Sequence, residues 1–207
     1  MPSLTRRRAL HGAAALLAGV AGCSSEDHVG STGPDEPQGT VAFDPESHHL
    51  RNTERAPVVW TGERPTTTDD EQRHYWANTF FVADSDTAAD VSTADVEGSD
   101  GVADFLSATD YDAETVYVQQ TLVGECFDLD LCYVKWSADH VETSFARTYR
   151  PAEVACERDA DDVTAWLIRI PAVVDPDEVH GYGTGRGSGT CDERNRLVRE
   201  RRREREQ

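Results

Sequence analysis

The sequence contains almost no lysine, a single methionine and no long apolar segment. Lys135 is the only lysine among 20 basic residues, against 39 acidic residues. The formal charge of −19 argues against nucleic-acid partners, which need clustered Lys and Arg. Met1 is the only methionine, so a blue-copper site would lack its usual axial ligand. No apolar run reaches the ~20 residues that a membrane-spanning helix needs.

Several motifs of catalysis and metal binding are also missing. No two cysteines have the close spacing of a zinc site or a thioredoxin-like redox site. The segment Gly124-Glu125-Cys126 lacks the serine of a nucleophile elbow. His48 and His49 are expected to be exposed loop residues, and on a strand they would point to opposite faces and chelate poorly together. We therefore predict neither a metal nor a cofactor.

The first 23 residues have the pattern of an export signal. Three arginines, Arg6–Arg8, precede a stretch of small and apolar residues over Gly12–Gly22. This stretch has the length of a signal-peptide core. It predicts that residues 1–22 are a signal peptide.

The basic part of this signal resembles the twin-arginine motif of exported proteins. Thr5, Arg6, Arg7 and Leu10 match that motif. Ala9 stands where the motif has an aromatic residue, so the general secretory route remains an alternative.

The end of the signal resembles a lipobox, in which an aliphatic residue and two small residues precede cysteine. Here these residues are Val20-Ala21-Gly22-Cys23. The resemblance implies cleavage before Cys23 and a thioether-linked lipid on its sulfur. Two acyl chains, the usual number in lipoproteins, anchor a protein stably. We expect a lipid anchor at the extracellular face of the cell membrane; the alternative is a secreted protein in which Cys23 is incidental.

The acidic composition affects how other motifs are interpreted. Loss of Arg6–Arg8 with the signal lowers the formal charge from −19 to −22. At molar salt the Debye length is ~3 Å, which screens the resulting self-repulsion. Abundant acid with almost no lysine resembles proteins of salt-loving archaea. Acidic runs such as Asp69–Glu71 and Asp159–Asp162 are therefore interpreted as solvated surface rather than as calcium or catalytic sites.

Four cysteines follow Cys23, and an even number in an exported domain favours two disulfides. If Cys126 and Cys132 share one strand, they lie about 20 Å apart at ~3.3 Å per residue. A disulfide needs Cα atoms within ~7 Å. Each must then reach Cys156 or Cys191, and we favour Cys126–Cys156 and Cys132–Cys191. The second bridge would hold the glycine-rich tail across the outer face of a sheet.

Short segments rich in β-branched and aromatic residues, separated by turn signals, predict an antiparallel β-sandwich of about six or seven strands. Alternation within residues 126–136 predicts that Phe127, Leu129, Leu131 and Tyr133 face the core. One short helix is expected after Ser99 or Asp100, with Val102, Phe105 and Leu106 on one face. The expected strands cover residues 57–61, 75–83, 115–122, 126–136, 141–149 and 163–170.

Composition divides the mature chain into three parts. Residues 23–43 contain the lipidated cysteine and a disordered linker rich in Gly, Ser, Pro and acid. Residues 44–180 form the sandwich domain. Residues 181–207 are a Gly-rich and charged tail that cannot build a core.

The chain as a whole resembles exported lipoproteins of haloarchaea. The resemblance is specific over the first 23 residues, depends elsewhere on acidity and cysteine pattern, and implies a location rather than an activity. We predict a membrane-anchored extracytoplasmic lipoprotein that is a non-catalytic binding or structural module of the cell envelope, with an envelope protein as partner. The alternatives are a secreted hydrolase, whose site forms only in three dimensions, and a single-domain lipoprotein that binds a small ligand.

Overall fold

The computed structural model describes residues 39–65 and 79–207. The described part is mainly β, as predicted, and contains two disulfides and three short to medium helices. All six predicted strands are present in whole or in part; residues 75–78 of the second lie outside the described residues. The strands are β1 (Thr40–Phe43), β2 (Ser47–Asn52), β3 (Val59–Thr61), β4 (Thr79–Val82), β5 (Val91–Thr93), β6 (Thr115–Gly124), β7 (Phe127–Trp136), β8 (His140–Tyr149), β9 (Asp161–Ile170) and β10 (Gly181–Gly187), and the helices are α1 (Ser85–Ala89), α2 (Gly101–Ser107) and α3 (Cys191–Arg205).

Two four-stranded sheets form the sandwich. Sheet A has the order β1-β7-β8-β10, and sheet B has the order β2-β9-β6-β4. Every pairing within them is antiparallel except that of β8 with β10, which is parallel. The exception arises because the chain leaves sheet A after β8, runs through β9 in sheet B and only then returns as β10.

The main core lies between the two sheets. Alternate residues of β6 and β9 point toward sheet A, as the two-residue period of a strand requires. On the same face of β6, Gln119 and Thr121 form hydrogen bonds with side chains of β10. Large buried members of this core include Tyr117, Phe145, Phe81, Trp136, Trp166, Ile168 and Ile170.

A second apolar layer covers the opposite face of sheet B. The ribbon of β3 and β5 and the helix α2 pack there, so sheet B is buried on both faces. Burial on both faces agrees with the nearly unbroken apolar run of β9. Val102 and Leu106 of α2 are buried as predicted, and Phe105 packs beside them.

The alternation predicted along β7 fails at Cys132. The register with β8 shifts between Leu131 and Tyr133, because a β-bulge inserts Cys132 as an extra residue. Cys132 is fully buried, and Val134 and Trp136 fill the core beyond the bulge. The prediction that Tyr133 faces the core is therefore wrong: its ring lies 6.2 Å from the ring of Phe43 instead.

Both favoured disulfide pairings are confirmed. Cys126 is bonded to Cys156, with Cα atoms 5.2 Å apart, and Cys132 is bonded to Cys191, with Cα atoms 4.8 Å apart. Cys191 begins α3, which packs against β7 and β8. The second bridge thus holds the helix α3 against sheet A, whereas the glycine-rich segment that was expected to lie across the outer face forms the strand β10 at the edge of that sheet.

Sheet A extends past both expected limits of the domain. The strand β1 lies inside the expected linker and pairs with β7 from Thr40 to Phe43. The strand β10 and the helix α3 lie inside the expected tail. Composition alone misassigned these residues. Pairing with a long neighbouring strand stabilises β1 and β10, and a disulfide and contacts with β7 and β8 hold α3, although these segments have few apolar side chains of their own.

A buried arginine ties the two sheets together at one end. The Arg51 guanidinium, on β2, lies 2.6 Å from Asp162 of β9 and 2.8 Å from Asp128 of β7. It also donates to the carbonyls of Phe127 and Glu125, each at 3.0 Å. Asp162 belongs to the acidic run interpreted as solvated surface, but its side chain is only 3% exposed. That interpretation is wrong for Asp162, because Arg51 compensates its charge.

Candidate functional site

A cleft of about 600 Å³ lies on the helical side of sheet B. It lies between α1, α2 and β5. Val91, Val102 and Leu106 form an apolar floor, while Ser85, Ser99 and Thr109 add hydroxyl groups at its margin. The cleft has the size of small-molecule sites, which are ~300–1,000 Å³ and mostly apolar with a few polar groups.

Arg169 fixes the wall of the cleft from beneath. Its guanidinium donates to the carbonyl of Phe105 at 3.0 Å and to the Thr109 hydroxyl at 3.2 Å, and it lies 4.7 Å from the centre of the Phe105 ring. It also forms an ion pair of 2.6 Å with Glu46. One buried cation from β9 therefore sets the position of α2 and of the loop after it.

Tyr111 closes one end of the cleft. Its hydroxyl donates to the carbonyl of Leu106 at 3.2 Å. Partial burial raises the pKa of the Tyr111 phenol, so it remains a neutral hydrogen-bonding group at neutral pH. The lining offers hydroxyls and small apolar groups, which are suited to binding rather than to proton transfer.

His48 and His49 lie on β2 rather than in the expected loop. Their side chains point to opposite faces of sheet B, as the alternation of a strand requires. His48 Nε2 lies 2.8 Å from the carbonyl oxygen of Gly98, whereas His49 Nε2 lies 2.5 Å from the Thr164 hydroxyl. They are not placed to chelate one metal together.

His49 lies in a partly desolvated environment at the edge of the main core. Its ring stacks on Trp166 with 4.3 Å between ring centres, which leaves part of the residue exposed. Desolvation of the ring, followed by the positive charge of Arg51, lowers its pKa to about 4. His49 is thus neutral at neutral pH, and Thr164 and Trp166 account for its environment.

Charged residues on β7 and β8 do not assemble into a second site. Glu142 pairs with Lys135 at 3.4 Å, and Arg147 lies 4.6 Å above the Phe127 ring. Asp128 belongs to the Arg51 cluster. Within residues 39–65 and 79–207, no group of three or more His, Cys, Asp or Glu residues is arranged to hold a metal ion.

The helix α3 carries the basic end of the chain. A capping box begins it, in which Thr190 and Glu193 each accept from the backbone N–H of the other. Its seven arginines outnumber its four acidic residues, and its last turn is basic, which suits the negative end of the helix dipole. Arg194 donates to the Ser144 hydroxyl at 3.0 Å, and Arg199 lies 4.3 Å above the ring of Phe43.

The residues predicted to act in export and anchoring, Arg6, Arg7 and Cys23, lie outside the described residues, as does the acidic run at 69–71. In the part of the chain that is described, no helix is both long and apolar enough to cross a membrane. The cleft had no signal in the sequence, because it is assembled from α1, β5 and α2, whose lining residues are mostly small.

No protein-family profile matches this chain, and no curated protein or solved structure is significantly similar to it.

Proposed function

We propose that the chain is a membrane-anchored extracytoplasmic lipoprotein, attached through a lipid on Cys23, whose sandwich is a non-catalytic binding or structural module of the cell envelope. The observation that carries the proposal is the pair of disulfides in the described domain. Structural disulfides persist in oxidising compartments outside the cytoplasm. They agree with the export signal that precedes Cys23 in the sequence.

The proposal is tested by the mass and location of the mature chain. Intact-mass measurement on a membrane extract is expected to show loss of residues 1–22 and addition of lipid to Cys23. The variant Cys23→Ser is expected in the medium, whereas the control Ser24→Ala remains with the membrane. A wild-type chain recovered soluble and without lipid would overturn the anchoring.

We also propose that the module works at molar salt. The mature charge of −22 opposes compaction until it is screened. Urea denaturation in KCl of increasing concentration is expected to show a steady rise in the free energy of unfolding up to molar salt. A midpoint that does not depend on KCl would contradict adaptation to salt.

The cleft favours a second function, the binding of a small, largely apolar ligand. Its volume of about 600 Å³, apolar floor and hydroxyl-bearing margin support this candidate. The probe is 8-anilinonaphthalene-1-sulfonate, whose fluorescence increases in apolar sites. Ala103→Trp fills the cleft and is expected to abolish the increase, whereas Ala108→Trp, at the end of α2 and outside the lining, is expected to retain it. Equal fluorescence from both variants would exclude the cleft as the site.

A further inference from the structure

The strand β10 forms one edge of sheet A. In the described part of the chain it pairs with β8 on one side, and no strand lies on its other side. Edge strands expose rows of unpaired N–H and C=O groups, which proteins commonly guard with proline, lysine or a bulge. Gly181–Gly187 contains neither proline nor lysine, and its register with β8 is unbroken over seven residues. This edge is therefore open to strand addition.

Hydrogen bonding shows which residues face the open side. The Gly181 N–H donates to the carbonyl of Asp139, beside β8, at 3.0 Å. In a strand, the N–H and C=O of one residue point to the same side, and the next residue points to the other. The glycines therefore face β8, while the N–H and C=O groups of Tyr182, Thr184 and Arg186 face the open side.

We propose that β10 pairs antiparallel with β10 of a second copy of this chain, about a two-fold axis at Thr184. The segment Gly-Tyr-Gly-Thr-Gly-Arg-Gly has a self-complementary order. Pairing about its centre sets Thr184 against Thr184 and Tyr182 against Arg186 of the second copy. Each facing pair exchanges both of its backbone hydrogen bonds, so every open N–H and C=O in the strand gains a partner. The two copies of sheet A become one continuous sheet.

The side chains suit this register. Tyr182 is 48% exposed, although its ring lies 6.3 Å from the ring of Tyr117 and 6.4 Å from that of Phe81. The Arg186 guanidinium donates to Thr121 and to the carbonyl of Leu122 on the same inner face and is likewise exposed. Facing residues in an antiparallel pair have Cβ atoms ~4.5–5.5 Å apart, within reach of a cation–π contact. The two-fold axis creates this contact twice.

The glycines of β10 have their Cα hydrogens on the outer face of sheet A, where a side chain would not fit. A Cβ at Gly181 would collide with the His140 ring, and one at Gly187 would collide with the Arg194 guanidinium. Glycine at these positions lets side chains from β8 and α3 fold over β10 without displacing the strand. The strand β10 itself contributes no side chain to this outer face, which is covered by side chains of β8 and α3.

The test uses the full chain with Cys23→Ser, which removes the lipid, in molar KCl. Sedimentation velocity is expected to show a monomer and dimer in equilibrium, with association that strengthens as salt rises, because both copies are strongly acidic. In hydrogen exchange, the amides of Tyr182, Thr184 and Arg186 are expected to become protected as protein concentration rises. The amides of Gly183 and Gly185 face β8 and serve as an internal control.

Charge substitutions test the register. Tyr182→Lys sets like charges across the axis and removes two cation–π contacts, so it is expected to weaken association by about five- to thirty-fold or more. Adding Arg186→Glu sets opposite charges across the axis and is expected to restore much of the loss. Tyr149→Lys, at a residue that is 78% exposed at the end of β8, is the matched control and should leave association unchanged.

Three results would overturn the proposal. The first is a monomer at every concentration and salt. The second is a dimer as stable in Tyr182→Lys as in the unmodified sequence. The third is that a different peptide occupies the edge of β10 in the purified protein. Native mass spectrometry would then detect the peptide, and the amides of Tyr182, Thr184 and Arg186 would stay protected on dilution.

Discussion

Substitution of Arg51 by Met is expected to cause a large loss of stability. The Arg51 side chain is 15% exposed, and that of its partner Asp162 is 3% exposed, with 2.6 Å between their charged atoms. Removal of the cation leaves the Asp162 carboxylate buried without compensation. Breaking such a pair from one side costs about 3–5 kcal/mol. This is a large share of the ~5–15 kcal/mol that separates folded from unfolded domains.

The neighbouring pair provides a matched control. Arg55 lies 3.8 Å from Asp161, and their side chains are 51% and 43% exposed. Exposed pairs contribute about 0–1 kcal/mol, less in salt, so Arg55→Met is expected to change the free energy of unfolding by less than ~1 kcal/mol. Urea denaturation at fixed molar KCl measures both variants under equal screening.

The double variant Arg51→Met/Asp162→Asn separates buried charge from lost packing. The neutral amide that replaces the Asp162 carboxylate brings no uncompensated charge, so the double variant is expected to be more stable than Arg51→Met alone. Equal losses from Arg51→Met and Arg55→Met would refute the reasoning. So would a double variant in which the two losses simply add.

Other substitutions test the second disulfide, His49 and the floor of the cleft. Joint replacement of Cys132 and Cys191 by Ala is expected to lower the free energy of unfolding by about 4 kcal/mol, because the bridge spans 59 residues, and urea titration without reductant measures this loss. His49 has a folded pKa of about 4 against 6.5 unfolded, so the unfolded chain binds the extra proton between these values and stability falls as pH falls from 6.5 toward 4. His49→Gln should lack that part of the pH dependence in urea titrations at several pH values, whereas His180→Gln should keep it. Leu106→Ala, at a residue 4% exposed in the cleft floor, is expected to cost about 2–5 kcal/mol in the same assay, whereas Leu197→Ala, 43% exposed on α3, should stay within ~0.5 kcal/mol.

The parts of the fold that were predictable have strong local signals. The strands β6 to β9 are long runs of β-branched and aromatic residues, and two of them are joined by the polar turn after Trp136. The distance argument disfavoured a bridge between residues 126 and 132, but it did not decide between the two remaining pairings, of which the favoured one is present.

The strand β10 was missed although its signal is present. Tyr182, Thr184 and Arg186 alternate with glycine at the period of a strand. Glycine content favoured a flexible tail, since glycine weakens strands. The deciding interactions, a full parallel register with β8 and the hydrogen bond from Gln119 to Thr184 at 2.5 Å, come from residues far away in the sequence.

The helix α3 had a local signal that composition concealed. Thr190 and Glu193 have the spacing of a capping box, and acidic residues precede arginines along the segment. The helix lacks a broad apolar stripe, which is the usual evidence for a docked helix. The cleft could not be predicted at all, because no single segment contains more than part of its lining.

The disulfide between Cys132 and Cys191 holds α3 under salt conditions in which electrostatic attraction cannot. The rest of the chain is strongly acidic, so at low salt the arginines of α3 are attracted to the domain. The same low salt leaves the acidic domain unscreened and opposes its compaction. Salt therefore stabilises the sandwich while it weakens the attraction of α3 to it. With Leu197 exposed and little else apolar on the helix, burial cannot replace that attraction. The bond between Cys132 and Cys191 does not depend on salt, so it keeps α3 on sheet A under the conditions in which the acidic domain itself is most stable.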